Sequence, residues 1–160
     1  KTAYEIRNCD WSSDVCSSDL IMSLANILKL AGGALNAQTV RLNTIASNLA
    51  NVETVASKSD DAFKAKRPVF ATVLENATGD LQSGFGVKVE GISQSKRVNP
   101  QVYDPENPLA DKDGYVYRSN VNPLEEMTDM LDAARAYETA LTTASTAREL
   151  MMRTIDMNTK

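Results

Sequence analysis

The sequence predicts a mainly α-helical protein with a small β-rich middle. Long N- and C-terminal helices pair as a coiled coil, and a hairpin or extended segment lies between them. Three observations carry this expectation. Leu28, Leu35, Leu42 and Leu49 recur every seven residues, interleaved by Leu24, Ala31, Gln38 and Ile45. Such an unbroken four-three repeat describes a helix that needs a partner helix along its length. A second helical stretch opens at Pro123 and runs to Met157. Between the two, apolar residues alternate and four of the five prolines fall.

Residues 23–50 form the first expected helix, about 40 Å long at a rise of roughly 1.5 Å per residue. Gly32-Gly33 interrupts it. Each glycine costs roughly 0.5–1 kcal/mol against alanine, so the pair marks a weak point or the close approach of a neighbouring backbone. Asn48 and Asn51 suit a helix terminus, because Asn tolerates the left-handed conformation.

Residues 52–121 change character. Val52–Ala65 is polar and reads as a mobile connection. Val69–Leu74 reads as a strand, and Val87–Ile92 alternates more cleanly, as a half-buried strand does. Gly84-Phe85-Gly86 reads as a small-residue turn before it. Tyr103–Pro108 and Asp111–Gly114 carry turn chemistry, and Tyr115–Tyr117 is a short strand. This section makes a small hairpin-rich module rather than an independent domain.

The second helix has a strong start signal. Asn122 serves as N-cap, Pro123 stands at the first helical position, and Glu125 completes a capping-box pattern. Leu124, Met127, Leu131, Ala134, Tyr137, Leu141, Ala144, Arg148, Met151 and Ile155 form its main apolar stripe. Two successive three-residue steps at 131–134–137 make a stammer. Acids crowd the first turns and Arg148 and Arg153 come late, matching the helix dipole.

Composition narrows the function classes. The 160 residues carry a net charge of −4, with a pI near 4.9. No dense Lys/Arg cluster is present; the nearest, the short run Lys64, Lys66 and Arg67, reads as a solvated strand edge, so no nucleic-acid partner is expected. No stretch approaches the ~18 apolar residues of a membrane span. Histidine is absent, which removes the commonest general base and transition-metal ligand.

Residues 1–21 look foreign to the rest and are expected not to pack. They hold both cysteines, Cys9 and Cys16, and the only tryptophan, Trp11. The string Asp14-Val15-Cys16-Ser17-Ser18-Asp19-Leu20 resembles a translated sequencing-library adapter, which places the expected true start at Met22. The segment makes a poor signal peptide, having acids where basic residues belong and no apolar core. The expected organisation is therefore a leader over 1–21, a discontinuous coiled-coil unit over 22–51 and 122–160, and a middle module over 52–121.

Candidate chemistry is thin. Asp111, Asp113 and Gly114 match the start of a calcium loop, but its twelfth position is Asn122 instead of Glu. Glu125 and Glu126 diverge by about 100° on a helix and cannot share one substrate atom. No catalytic residue, metal site, cofactor or small-molecule substrate is expected. What remains is apolar surplus. Ile27, Ala34, Val40, Ala46 and Ala50 lie off the first seam, and Met130, Ala133, Ala140, Ala147 and Met152 off the second stripe. Two helices cannot bury all of these, which argues for contact with other subunits.

The run Ala34–Asn51, above all Ser47-Asn48-Leu49-Ala50-Asn51 followed by Thr54, closely resembles the N-terminal signature of bacterial flagellar rod and hook proteins. Within that family three further stretches are similar to its proximal-rod branch: Tyr103-Asp104-Pro105 with Asn107-Pro108-Leu109-Ala110-Asp111, then Gly114-Tyr115-Val116, then Ser119-Asn120-Val121. Glu126-Met127 and Ala134-Arg135-Ala136-Tyr137-Glu138 fit as well, so the likeness spans Met22–Lys160. The opening Asn26–Leu30 departs from the family, which often has an aromatic there.

The resemblance implies a non-enzymatic axial subunit without cofactor. Such proteins leave the cell through the flagellar type III export apparatus with no cleaved signal peptide. They assemble with copies of themselves and other rod subunits into the periplasmic rod that transmits torque, their termini forming an inner coiled-coil layer. The residues expected to pack between subunits or to carry the motif are Leu28, Leu35, Leu42, Ile45, Ser47, Asn48, Leu49 and Asn51 on the first helix. On the second they are Leu124, Met127, Leu131, Tyr137, Leu141, Met151 and Ile155. The alternatives are another rod or hook subunit, a cytoplasmic coiled-coil adaptor or export chaperone, and, third, an enzyme.

Overall fold

Two long helices packed antiparallel form the body of the molecule. The computed structural model describes residues 15–75 and 84–158. Along the chain come α1 (Val15–Ala50), β1 (Val55–Ala56), β2 (Lys66–Glu75), β3 (Gly84–Gln94), β4 (Gln101–Tyr103), β5 (Tyr115–Arg118) and α2 (Pro123–Asn158). The mainly α architecture with a small antiparallel β middle is the one the sequence predicts.

α1 begins at Val15, upstream of the expected residue 23. Val15–Met22 contains no glycine or proline, so nothing there stops the helix. The remainder of the leader, with Cys9 and Trp11, lies outside the described residues. At its other end α1 closes with a tightened turn, Asn51 N–H donating to the Asn48 carbonyl at 3.1 Å. The Asn51 side chain donates to the Ser47 carbonyl at 2.7 Å, satisfying a last-turn acceptor. No described non-glycine residue has a positive φ, so neither Asn48 nor Asn51 uses the left-handed conformation expected of them.

The leucine repeat of α1 is its seam with α2. Leu24, Ala31 and Ile45 are buried, and Leu28, Leu35, Gln38, Leu42 and Leu49 are half-buried. The seam on α2 differs from the expected stripe. Every position of the ladder 126–130–133–137–140–144–147–151–154 is buried or half-buried, with Ala133 at 0% exposure. This ladder alternates four and three without a break, so the expected stammer at 131–134–137 disappears. Ala133, Ala140 and Ala147, expected off the main stripe, are its core. Small residues let the two backbones approach closely, since interaxial distance follows the side chains at the contact.

α2 starts as expected at Asn122, whose Oδ1 accepts from Leu124 N–H at 3.1 Å. The capping box is not completed. Glu125 instead pairs with Arg97 at 3.2 Å and lies 3.9 Å from Arg67. Those two exposed cations offer charge-assisted contacts that compete with the backbone N–H.

β2 and β3 form one antiparallel hairpin, registered from Lys66↔Gln94 to Glu75↔Gly84 with an irregularity between Val69 and Phe70. Gly84-Phe85-Gly86 therefore lies inside β3, not in a turn before it. β1, β5 and β4 make a second, three-stranded antiparallel sheet in that order. Val116 on β5 is its buried centre. Gly114 closes the turn before β5 with φ +78°, the backbone region that favours glycine.

The segment Val52–Ala65 is tied down instead of mobile. Ala62 and Ala65 are buried, and Thr54 O accepts from Ser119 N–H at 3.1 Å. Three asparagines secure this irregular region. Asn99 donates to the carbonyls of Phe63 at 3.0 Å and Arg118 at 2.8 Å. Asn120 accepts from Ala65 N–H at 2.7 Å and donates to the Arg97 carbonyl at 2.7 Å. Asn48 is the third, described below. Outside the β1–β5 pairing, backbone groups in such a region have no ladder of their own, and side-chain amides satisfy several of them.

The glycine pair of α1 splits into two cases. A Cβ on Gly33 would sit 3.3 Å from the Val87 carbonyl oxygen, so β3 crosses α1 there by close backbone approach. A Cβ on Gly32 would meet nothing within 4 Å. Gly32→Ala should therefore stabilise the monomer by about 0.5–1 kcal/mol. Gly33→Ala should lose that gain, because β3 must shift. Urea unfolding of both variants checks this; equal midpoints would contradict it.

Candidate assembly surface and its junction

α2 carries a second seam, each position from Met127 onward one residue after a covered one. The ladder 124–127–131–134–138–141–145–148–152–155 alternates three and four without a break. All of it is exposed except the half-buried Ala134. One residue is about 100° around the axis, so the two seams occupy different faces. The covered seam is built largely of small residues. The open one holds Leu124 at 73% exposure, Leu131 at 62%, and Met127, Leu141, Met152 and Ile155, with Glu138, Ser145 and Arg148 among them. Long apolar side chains at heptad spacing facing solvent are an unfilled coiled-coil seam.

α1 has an open ladder of the opposite kind. From Ala25 to Ala50, at four-three spacing through Gly32, Thr39 and Ala46, every position is exposed and none carries a large apolar side chain.

These faces are held in place by a polar junction where α1, α2 and β2 meet. Asn48 is at 0% exposure. Its Nδ2 donates to the Lys66 carbonyl at 2.8 Å and to the Glu126 carboxylate at 3.1 Å. Its Oδ1 accepts from Lys66 N–H at 2.9 Å. The amide thus acts as a neighbouring strand for Lys66 at the start of β2, while tying in the first turn of α2. Glu126 is itself buried. A buried carboxylate without a donor is costly, so Asn48 and Glu126 require one another. Nearby, Arg41 reaches Asp129 at 3.3 Å, a part-exposed pair that adds little stability but agrees with the same register.

The residues singled out from the sequence divide accordingly. Leu28, Leu35, Leu42, Ile45 and Leu49 face α2, and Tyr137 and Met151 face α1. Asn48 is the junction, and Ser47 and Asn51 close the helix end. Leu124, Met127, Leu131, Leu141 and Ile155 point to solvent. Sequence reasoning missed Ala133, Ala147 and Glu126 as covered positions. The signal that identifies them is the unbroken repeat 126–154, obscured because its members are smaller or more polar than their neighbours.

Among the described residues, no group of three or more His, Cys, Asp or Glu could hold a metal ion. No described helix is long and apolar enough to cross a membrane. A two-helix body with an open seam, its register fixed by a buried junction, is the build of a structural subunit.

Comparison with known proteins agrees with that class. Residues 28–56 match the family model "Flagella basal body rod protein", and residues 112–157 match "Flagellar basal body rod FlgEFG protein C-terminal". The flagellar basal-body rod protein FlgC of Salmonella typhimurium is 39% identical over 136 residues, covering 85% of this chain and 98% of that protein. The protein of the same name from Buchnera aphidicola (Schizaphis graminum strain) is 38% identical over 138 residues. That from Bacillus subtilis is 31% identical over 148 residues, covering 85% of this chain and 99% of the relative. The chain belongs to the FlgC family of flagellar basal-body rod proteins. The matched regions include the leucine repeat with its Asn48 junction and nearly all of α2.

Proposed function

We propose that this chain is a subunit of the proximal part of the flagellar rod, polymerises through its terminal helices and transmits torque. The observation that carries this reading is the open seam of α2, where six of ten positions are exposed long apolar side chains on a helix already paired along its other face. A row of this length is an interaction surface, and a contact that does not close on itself propagates into a helical tube. Stiffness in such a tube would come from interdigitated apolar side chains at interior packing density. The role is mechanical and not enzymatic: packing and register do the work, without cofactor or substrate. Its partners are copies of itself, other rod subunits and the type III export apparatus. Its place is the periplasmic rod, reached without a cleaved signal peptide. We further assign the functional unit to Met22–Lys160, with 22–51 and 122–160 as the assembling part and 52–121 as the outer module.

The test is complementation of a flagellated bacterium lacking its own proximal-rod subunit of this family. The chain should restore swimming and appear in detergent-extracted basal bodies. A chain beginning at Met22 should do so equally well. A chain absent from basal bodies and recovered as a discrete cytoplasmic oligomer would support the adaptor alternative instead. Failure of the Met22 form alone would show that the leader belongs to the functional unit.

A further inference from the structure

The two open ladders lie on one side of the helical pair. Ile27, Thr143, Thr146 and Leu150 each precede a covered seam position by one residue, and together they line one groove of about 320 Å³. Asn48, one residue before Leu49, meets β2. The faces one residue before the seam thus share the side that carries the hairpin. In an antiparallel pair, the faces one residue after the seam share the opposite side. That side is exposed on both helices: α2 presents long apolar side chains and α1 presents small and polar ones.

We propose that a second copy of this chain covers this face, with the large ladder of α2 in one copy seated on the small ladder of α1 in the other. The inference rests on the rod-subunit reading and specifies the contact within it. Three observations select this pairing. Large side chains need a facing surface with room for them, and α1 offers one from Ala25 to Ala50. Charge favours unlike helices: apart from the Arg41–Asp129 pair within one copy and the buried Glu126, residues 22–50 carry one base and no acid, whereas α2 carries five acids and three bases. Stacking α2 on α2 would bring two acidic helices together. Finally, Gly32 acquires a reason. Inside one copy a Cβ there has open space, so the cost of a helix glycine is unexplained by the chain's own packing. On the small ladder, the space over Gly32 is where a neighbour's side chain seats.

The experiment is disulfide cross-linking in extracted basal bodies of complemented cells, with Cys9 and Cys16 changed to Ser in all chains. Cells co-express Leu131→Cys with Ala25→Cys, Gly32→Cys, Thr39→Cys or Ala46→Cys. These α1 positions are a heptad apart and together span the axial offset between copies. We expect a cross-link between Leu131→Cys and at least one α1 site, formed only between different copies. Disulfides between two Leu131→Cys chains, or no cross-link at any site, would overturn the pairing while leaving the rod reading intact. Absence of every chain from basal bodies would overturn both. Independently, Gly32→Leu should leave the purified monomer folded, with a melting temperature no lower than the parent's, yet lose incorporation and swimming. Normal incorporation of Gly32→Leu would refute the α1 half of the contact.

Discussion

Leu131→Asp should abolish swimming while leaving the isolated subunit folded. Leu131 is 62% exposed and belongs to the open ladder, so the monomer loses little packing. A surface change of this kind moves stability by about 0.5 kcal/mol, most of it helix propensity. In the proposed contact the same position is buried against a neighbour. An unpaired carboxylate there costs several kcal/mol by desolvation, and the cost recurs in every copy. Urea unfolding of purified monomer and swimming in soft agar separate the two effects. Parent-like swimming would sink the assignment of this face. Leu42→Asp is the informative contrast. Leu42 is on the covered seam, so that variant should lose both the fold and assembly.

Asn48→Leu should be the most damaging single change to the fold outside the apolar seam. It removes the acceptor for Lys66 N–H and a donor to the buried Glu126 carboxylate. Leaving such groups unsatisfied costs roughly 1–3 kcal/mol each. The sum is large against a total stability of about 5–15 kcal/mol for a domain. The double variant Asn48→Leu with Glu126→Leu should recover part of the loss, since the carboxylate in need of a donor is gone. Measured coupling near zero in that double-mutant cycle would mean the two side chains do not depend on one another. Because the junction fixes α1 against α2, the variant should also disturb the open face remotely. Cross-linking yields in the assembled state would then fall even for chains that remain folded.

The boundary between what could be read and what could not runs through particular residues. The leucine repeat of α1 was legible because large side chains and a strict period coincide. The start of α2 was legible because Asn122-Pro123 is local chemistry. On α2 the period was legible but its face was not. Leu124, Leu131 and Leu141 outweigh Ala133, Ala140 and Ala147 in any reading by hydrophobicity, yet the alanines face α1. Val52–Ala65 misled for a related reason. Its polarity suggests mobility, but the groups that tie it down, Asn99 and Asn120, are distant in sequence. Capping by Glu125 was a local expectation overridden by Arg97, a residue contributed from across the fold.

The sequence by itself determined that two long helices exist, where α2 starts, that they pair, three of the five strands, and which family they belong to. These follow from periodicity, local capping chemistry and motif, all properties of short stretches. Only the tertiary structure decided which seam of α2 turns inward, why Gly33 and not Gly32 is required within one chain, and that Asn48 joins three elements. The physical reason is common to all three. A heptad repeat fixes angles on one helix, but close antiparallel packing, a crossing backbone and a buried carboxylate are set by what lies opposite. What lies opposite is known only once the chain has folded.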